Sequence, residues 1–121
     1  MFKDLREYIE RVKELGEYKL IEGADWNLEI GAITELMAEG KGTALLFDQI
    51  GNYPRGYRIL TNAMLSLKRT ALVLGLSEDL TSIEMLNAWR KKLSVIKPIP
   101  PVESKDGPVK QNVHTGKEVS A

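Results

Sequence analysis

Three observations predict that this 121-residue chain folds as a mixed α/β domain. Helical stripes alternate with short strand-like runs, a compact apolar run sits in mid-chain between turn signals, and the C-terminal stretch turns proline-rich and loses all period. The expected order is α-β-α-β-β-α-α. It gives a small mixed three-stranded sheet covered by helices, with an extended Pro-rich C-terminal tail.

Each element follows from its residues. Over 2–15, Phe2, Leu5, Ile9, Val12 and Leu15 recur at spacings of three and four, the apolar stripe of an amphipathic helix, and Gly16 stands where a helix C′ residue belongs. EYKLIE (17–22) is short and alternating, a strand. Gly23-Ala24-Asp25 is a turn from which Asp25 or Asn27 can cap a second helix over 28–38. Leu28, Ile30, Ile33, Leu36 and Met37 lie mostly on one face of it, and Gly40 and Gly42 end it. The length of TALLFDQI (43–50) favours a buried strand over a helix. These two strands, joined by a helix, are expected to run parallel through a right-handed crossover. After the loop 51–56, YRILTNA (57–63) is expected to pair back antiparallel. Ser66 caps a third helix, 67–74, closed by Gly75.

Thr81-Ser82-Ile83-Glu84 is a capping box flanked by Leu80 and Met85 as a hydrophobic staple. It opens a fourth helix running to about Val95, with Leu86, Trp89, Leu93 and Ile96 on one face. Composition shifts at Lys97. The stretch KPIPPVESKDGPVKQNVHTGKEVSA holds four of the five prolines, and Pro98, Pro100 and Pro101 favour a polyproline-like path. Such a segment packs no core of its own. Residues 1–96 are therefore expected as the domain and 97–121 as a tail or linker, ordered only against another polypeptide or a neighbouring copy. Pro98, Pro100, Pro101, Val102 and Val109, together with Trp89, are the expected partner-binding residues. Trp89 reads as core, with a partner anchor as the alternative.

Composition removes several function classes. Lys+Arg and Asp+Glu number 17 each, so net charge is zero and the basic excess of a phosphate-binding nucleic-acid module is missing. Hydrophobic residues at 43% with 28% charged exclude a disordered chain. No run reaches the roughly 18 apolar residues of a membrane span. Without cysteine there is no disulfide, thiolate zinc site, iron–sulfur cluster or cysteine nucleophile. The charged, periodic N-terminus carries no apolar secretory core, and a cytoplasmic location is expected.

No chemical constellation is complete. His114 is the one histidine and lies in the polar tail with no second ligand at metal spacing, so it reads as an exposed residue. Gly40, Gly42, Gly51 and Gly56 match neither a dinucleotide fingerprint nor a P-loop, and Gly40 and Gly42 follow a helix rather than open one. Asp25, Glu29 and Glu35 surround the start of the second helix, where acids complement the macrodipole without any catalytic role. Arg90-Lys91-Lys92 sits at a helix C-terminal end, where cations are favoured for the same reason. Trp26 and Trp89 read as core or interface anchors rather than base-stacking platforms. Catalytic, cofactor-binding and metal-binding residues are thus all expected to be none.

Four segments read together carry a resemblance. LREYIERVKELGEYKLIEG resembles the opening of the UbiD-like prenylated-FMN-dependent decarboxylases (the 3-octaprenyl-4-hydroxybenzoate carboxy-lyase type). ADWNLEIGAITELMAEGKGTALLFDQIGNYPRGYRILTN resembles their acidic turn, "LEI..I" helix and "GPALLFE.I.GYP…VL.N" run, and KRTALVLGL their "R.A.ALG" helix. KPIPPVESKDGPVKQNVHTGKEV is similar to the "P…V.DGP..ENV..GDDVDL" link into the family's central domain. Thr43 stands where Pro is usual, Gln111 where Glu is common, and Gly116-Lys117-Glu118-Val119-Ser120-Ala121 replaces the acidic ending.

The resemblance implies reversible, non-oxidative decarboxylation of unsaturated or aromatic acids by a longer protein. That protein uses prenylated FMN, manganese or magnesium, and potassium. GADWNLEIGAITEL and GYPRGYRILTN look closest to members acting on aromatic or heteroaromatic acids. The family's cofactor and metal ligands and its Glu-Arg-Glu set follow the link, and no position here matches them. The expected function is an N-terminal structural domain or small subunit of such an enzyme, with its catalytic remainder as partner. The alternative is a stand-alone binding or regulatory domain reusing the fold. An independent small enzyme is disfavoured.

Overall fold

The computed structural model describes residues 2–104, 107–111 and 113–116. Asp106, Asn112 and the 117–121 ending, on which part of the resemblance to the family link rests, lie outside the described residues. The chain runs α1 (Leu5–Glu14), β1 (Tyr18–Glu22), α2 (Glu29–Glu39), β2 (Ala44–Asp48), β3 (Ile59–Thr61), α3 (Leu67–Leu74) and α4 (Ser82–Val95). This is the expected order. Residues 97–104 form no helix or strand, and Pro108–Lys110 make one 3-10 turn. No helix among the described residues is long and apolar enough to cross a membrane.

The sheet order is β1-β2-β3. β1 pairs parallel with β2 from Tyr18↔Ala44 to Glu22↔Asp48, and β2 pairs antiparallel with β3 from Leu45↔Thr61 to Phe47↔Ile59. The parallel pair requires a crossover, and α2 supplies it. Central β2 is buried on both faces, and its alternation divides the interior. Leu45 and Phe47 pack with Ala24, Ile30 and Ile50, against Ile33 and Met37 of α2. Ala44 packs with Tyr8 and Val12 of α1, against Phe2, Leu60 and Leu72. The result is three layers, α2 on one face of the sheet and α1 with α3 on the other.

Local chemistry sets the helix ends. The Asp4 carboxylate accepts the Arg6 and Glu7 N–H groups at 2.9 and 3.0 Å to start α1. Gly16, at φ 71, ends it while its N–H donates to Lys13 C=O and that of Glu17 to Val12 C=O. The strands are shorter than expected from 43–50 and 57–63, because Gln49 and Asn62 turn to φ 51 and 55 and stop the ladder.

Other expectations needed correction. Neither Asp25 nor Asn27 caps α2 directly. Leu28 intervenes at φ 70, ψ −36, and the Glu29 N–H donates across it to Asn27 C=O at 2.9 Å, a strained γ-turn. Leu5, Leu28 and Leu36 were expected on buried faces and are exposed. Two strand spacings of about 4.8 Å make the sheet no wider than one helix of about 10–12 Å, so each helix buries only a narrow stripe.

The largest departure is α4. No residue of it is buried. Leu86, Leu93 and Ile96 of its expected inner stripe are all about half exposed or more, and the half-buried side is Met85, Ala88 and Trp89. A helical period reports that an apolar side exists; it does not report whether anything lies against it.

Candidate functional site

The structure does not bring the sequence-nominated chemical groups together. The Asp25 carboxylate accepts the Asn27 N–H at 2.8 Å and the Glu29 carboxylate accepts the Asp25 N–H at 2.7 Å, so both organise the turn before α2. Glu35 lies exposed on α2, and His114 is exposed in the tail. Lys92 donates its ammonium to the Leu74 carbonyl, which gives one member of the basic run a partner at the C-terminal end of α3. Gly42 closes α2, its N–H donating to Met37 C=O at 2.8 Å, and it opens no helix where a flavin phosphate would sit. Among the described residues no three His, Cys, Asp or Glu converge on a point. The described residues therefore offer no ligand set for a divalent metal.

One constellation escaped the residue-by-residue reading. Arg69 of α3 is fully buried. Its guanidinium donates to the Glu17 carboxylate at 2.7 Å, to Ala63 and Asn62 C=O at 3.2 Å each, and to Gly42 C=O. The group thus ties the entry of β1, the entry of β2 and the exit of β3 to one helix. Ser66 Oγ donates to the same Glu17 carboxylate and accepts the Arg69 N–H at 3.2 Å. The Tyr8 hydroxyl donates to Ala63 C=O. Burial pushes that phenol's pKa up, Arg69 opposes the shift and Glu17 adds to it. No buried side-chain polar atom among the described residues lacks a partner, and the arrangement ties the sheet's end together. The available signal was Arg69 at the head of the apolar run of KRTALVLGL, beside Lys68.

The other constellation is an uncovered surface. α4 is held locally. Thr81 Oγ1 accepts the Glu84 N–H at 3.4 Å, and Glu84 accepts the Thr81 N–H and hydroxyl at 2.9 and 2.7 Å. These bonds from Thr81 hold the Glu84 carboxyl below its ordinary pKa. Arg11 reaches Glu78 at 2.8 Å and anchors the α3–α4 connection to α1. Beside α4, Phe2, Leu72, Val73 and Lys92 line an open hollow of about 410 Å³. The outward side of α4 carries Ile83, Leu86 and Leu93 in one exposed row. Beyond it Pro98, Pro100, Pro101, Val102 and Val109 stand exposed, while Trp89 is half-buried.

Fold and side chains together define a small α/β domain with a single mixed sheet, pinned by a buried arginine and uncovered on its last helix. The family described as 3-octaprenyl-4-hydroxybenzoate carboxy-lyase N-terminal domain matches residues 9–89, and the chain belongs to that UbiD family. Among solved structures it is similar to the vanillic acid decarboxylase of Sedimentibacter hydroxybenzoicus (ShVdcCD). To the open form with truncated ShVdcD it is 27% identical over 84% of this chain and 21% of that one, with a TM-score of 0.72. To the closed form it is 27% identical over 93% and 24%, with a TM-score of 0.66. The chain thus spans about a fifth to a quarter of the decarboxylase chain it matches.

Proposed function

We propose that this chain is the non-catalytic N-terminal domain of a UbiD-like enzyme, docked on a catalytic remainder through the outer side of α4 and the segment 97–121. Residues 1–96 are the domain and 97–121 the tail that runs onto the partner, with Pro98, Pro100, Pro101, Val102 and Val109 in contact and Trp89 at the margin. The observation that carries the reading is the row Ile83, Leu86 and Leu93, exposed on a well-capped helix in a chain that spans a fifth of its matched relative.

The whole enzyme would be cytoplasmic and oligomeric, and would decarboxylate or carboxylate aromatic, heteroaromatic or unsaturated acids reversibly and without oxidation. Prenylated FMN, manganese or magnesium, and potassium would be held by the remainder. The vanillic acid decarboxylase named above supports the substrate class.

The test is to purify the chain alone and with a UbiD-like flavin-binding part. The expected outcome is a stable complex by native mass spectrometry, with no flavin absorbance and no CO₂ release from the chain alone. Tight flavin retention by the isolated chain would overturn the reading. Protease treatment of the free monomer checks the tail: cleavage is expected first within 97–121, and survival of that segment while the domain is cut would remove it from the interface.

A further inference from the structure

A trough runs between α1 and β3 on the sheet face that α1 covers. Three adjoining hollows of about 160, 260 and 280 Å³ make it up; Arg58 borders all three and Arg6 two. Its floor is Ile9, Leu46 and Leu60, with Leu5 exposed at the lip. Arg55 stands at one end and Lys13 at the other. The carboxylates along it are Asp48 and Glu10, and Glu10 is paired with Lys13 at 2.7 Å. Among the described residues no carboxylate lies within ion-pair distance of the Arg6, Arg55 or Arg58 guanidinium. The trough therefore offers apolar surface beneath uncommitted positive charge.

The opposite face of the sheet carries the complementary surface. α2 turns Ile30, Ile33 and Met37 inward, which leaves Ala32, Glu35, Leu36 and Glu39 on its outer side. Leu36 is 72% exposed, Glu35 and Glu39 hold no ion pair among the described residues, and α2 contains no Lys or Arg. Leu28, 81% exposed, is presented at the foot of the same side by the strained γ-turn. A backbone conformation that turns a leucine into water leaves apolar surface there for a partner to cover.

We propose that the outer side of α2 docks in the α1–β3 trough of a second copy of this chain. Leu28 and Leu36 then cover the floor, and Glu35 and Glu39 meet Arg6 and Arg58. The two surfaces lie on opposite faces of one sheet, so two copies cannot satisfy both at once. The contact is head-to-tail and either closes into a ring or continues as a string. It is independent of the catalytic remainder and does not rest on the function proposed above.

Sedimentation velocity of the full 121-residue chain over a concentration series tests it. Mass is expected to rise above the monomer with concentration and to fall back as salt screens the pairs. Arg6→Glu with Arg58→Glu, or Glu35→Arg with Glu39→Arg, should each weaken self-association at least about tenfold, because like charges then face each other. A mixture of the two double variants restores the charge match and should assemble again. All four positions are exposed, and circular dichroism checks the fold. If a reversal disturbs it, Arg58→Gln and Glu35→Gln remove one charge each and should weaken assembly in the same direction. A chain that stays monomeric throughout overturns the proposal, as does association indifferent to both reversals. Loss with the trough variant alone, or a mixture that fails to reassemble, removes α2 as the occupant.

Discussion

Residues 5–75 and residues 82–96 both contain well-capped helices, yet the first region holds every buried side chain among the described residues and the second holds none. In the first, caps and burial agree: Ser66 starts α3, and Arg69 and Ala71 are sealed beneath it. In the second, Thr81 and Glu84 form a complete capping box on a helix whose leucines face outward. The difference teaches that capping and packing are separate contributions. A cap decides where a helix begins through bonds within one turn, whereas burial depends on what the rest of the molecule brings to its side.

Five substitutions break or sharpen that comparison. The largest effects belong to the sheet region. Phe47→Ala opens a cavity in a fully buried site and should destabilise the chain by about 3–5 kcal/mol in urea unfolding. Arg69→Met should act on the same scale, about 3 kcal/mol or more, because it takes the counter-ion from the Glu17 carboxylate and one donor from each of three backbone carbonyls. A loss under about 1 kcal/mol at Arg69 would mean that water replaces it freely and that it pins nothing.

Trp89→Ala comes next and tests the boundary between the regions. The residue is half-buried, so the free chain should lose only about 1–2 kcal/mol in the same unfolding measurement. Association with a UbiD-like catalytic part, measured by titration, should weaken by about 2 kcal/mol if the tryptophan also anchors the partner.

Thr81→Ala removes half of the capping box and should cost about 1 kcal/mol, read as faster hydrogen exchange confined to α4. The same box carries a pH dependence. Bonds from Thr81 lower the pKa of folded Glu84, so its stabilisation is in place above the ordinary glutamate range and is lost as pH falls through the folded value. Protection of α4 should therefore decline on acidification in the parent chain and change less in Thr81→Ala.

Leu28→Gly is the smallest and has the opposite sign. Glycine accepts φ 70 without strain and little burial is lost, so the free chain should gain up to about 1 kcal/mol in its urea midpoint. Self-association through α2 should weaken in the same variant. Unchanged stability would show that the γ-turn is not strained.

Much of the fold was legible because its signals are local. Gly16 and Gly75, Ser66, and the Thr81–Glu84 box mark helix ends through bonds spanning a few residues, and all four act as read. The crossover between β1 and β2 followed from the helix between them. The candidate surface was legible only in part. The tail residues were found by their prolines, but Leu86 and Leu93 were assigned inward because period alone has no sense of inside and outside.

By itself the sequence determined the order of elements, the caps of α3 and α4, the strand pairing and the family, since each rests on spacing within one segment or on motifs in a row. Only the tertiary structure decided that Arg69 is buried and that α4 is not. Arg69 is tolerable in the interior solely because Glu17, Gly42, Asn62 and Ala63, from three other segments, converge on its guanidinium. α4 stays uncovered because a sheet one helix wide is already spanned by α1 and α3 on that side, so an amphipathic helix that follows them has only the edge of α3 to meet.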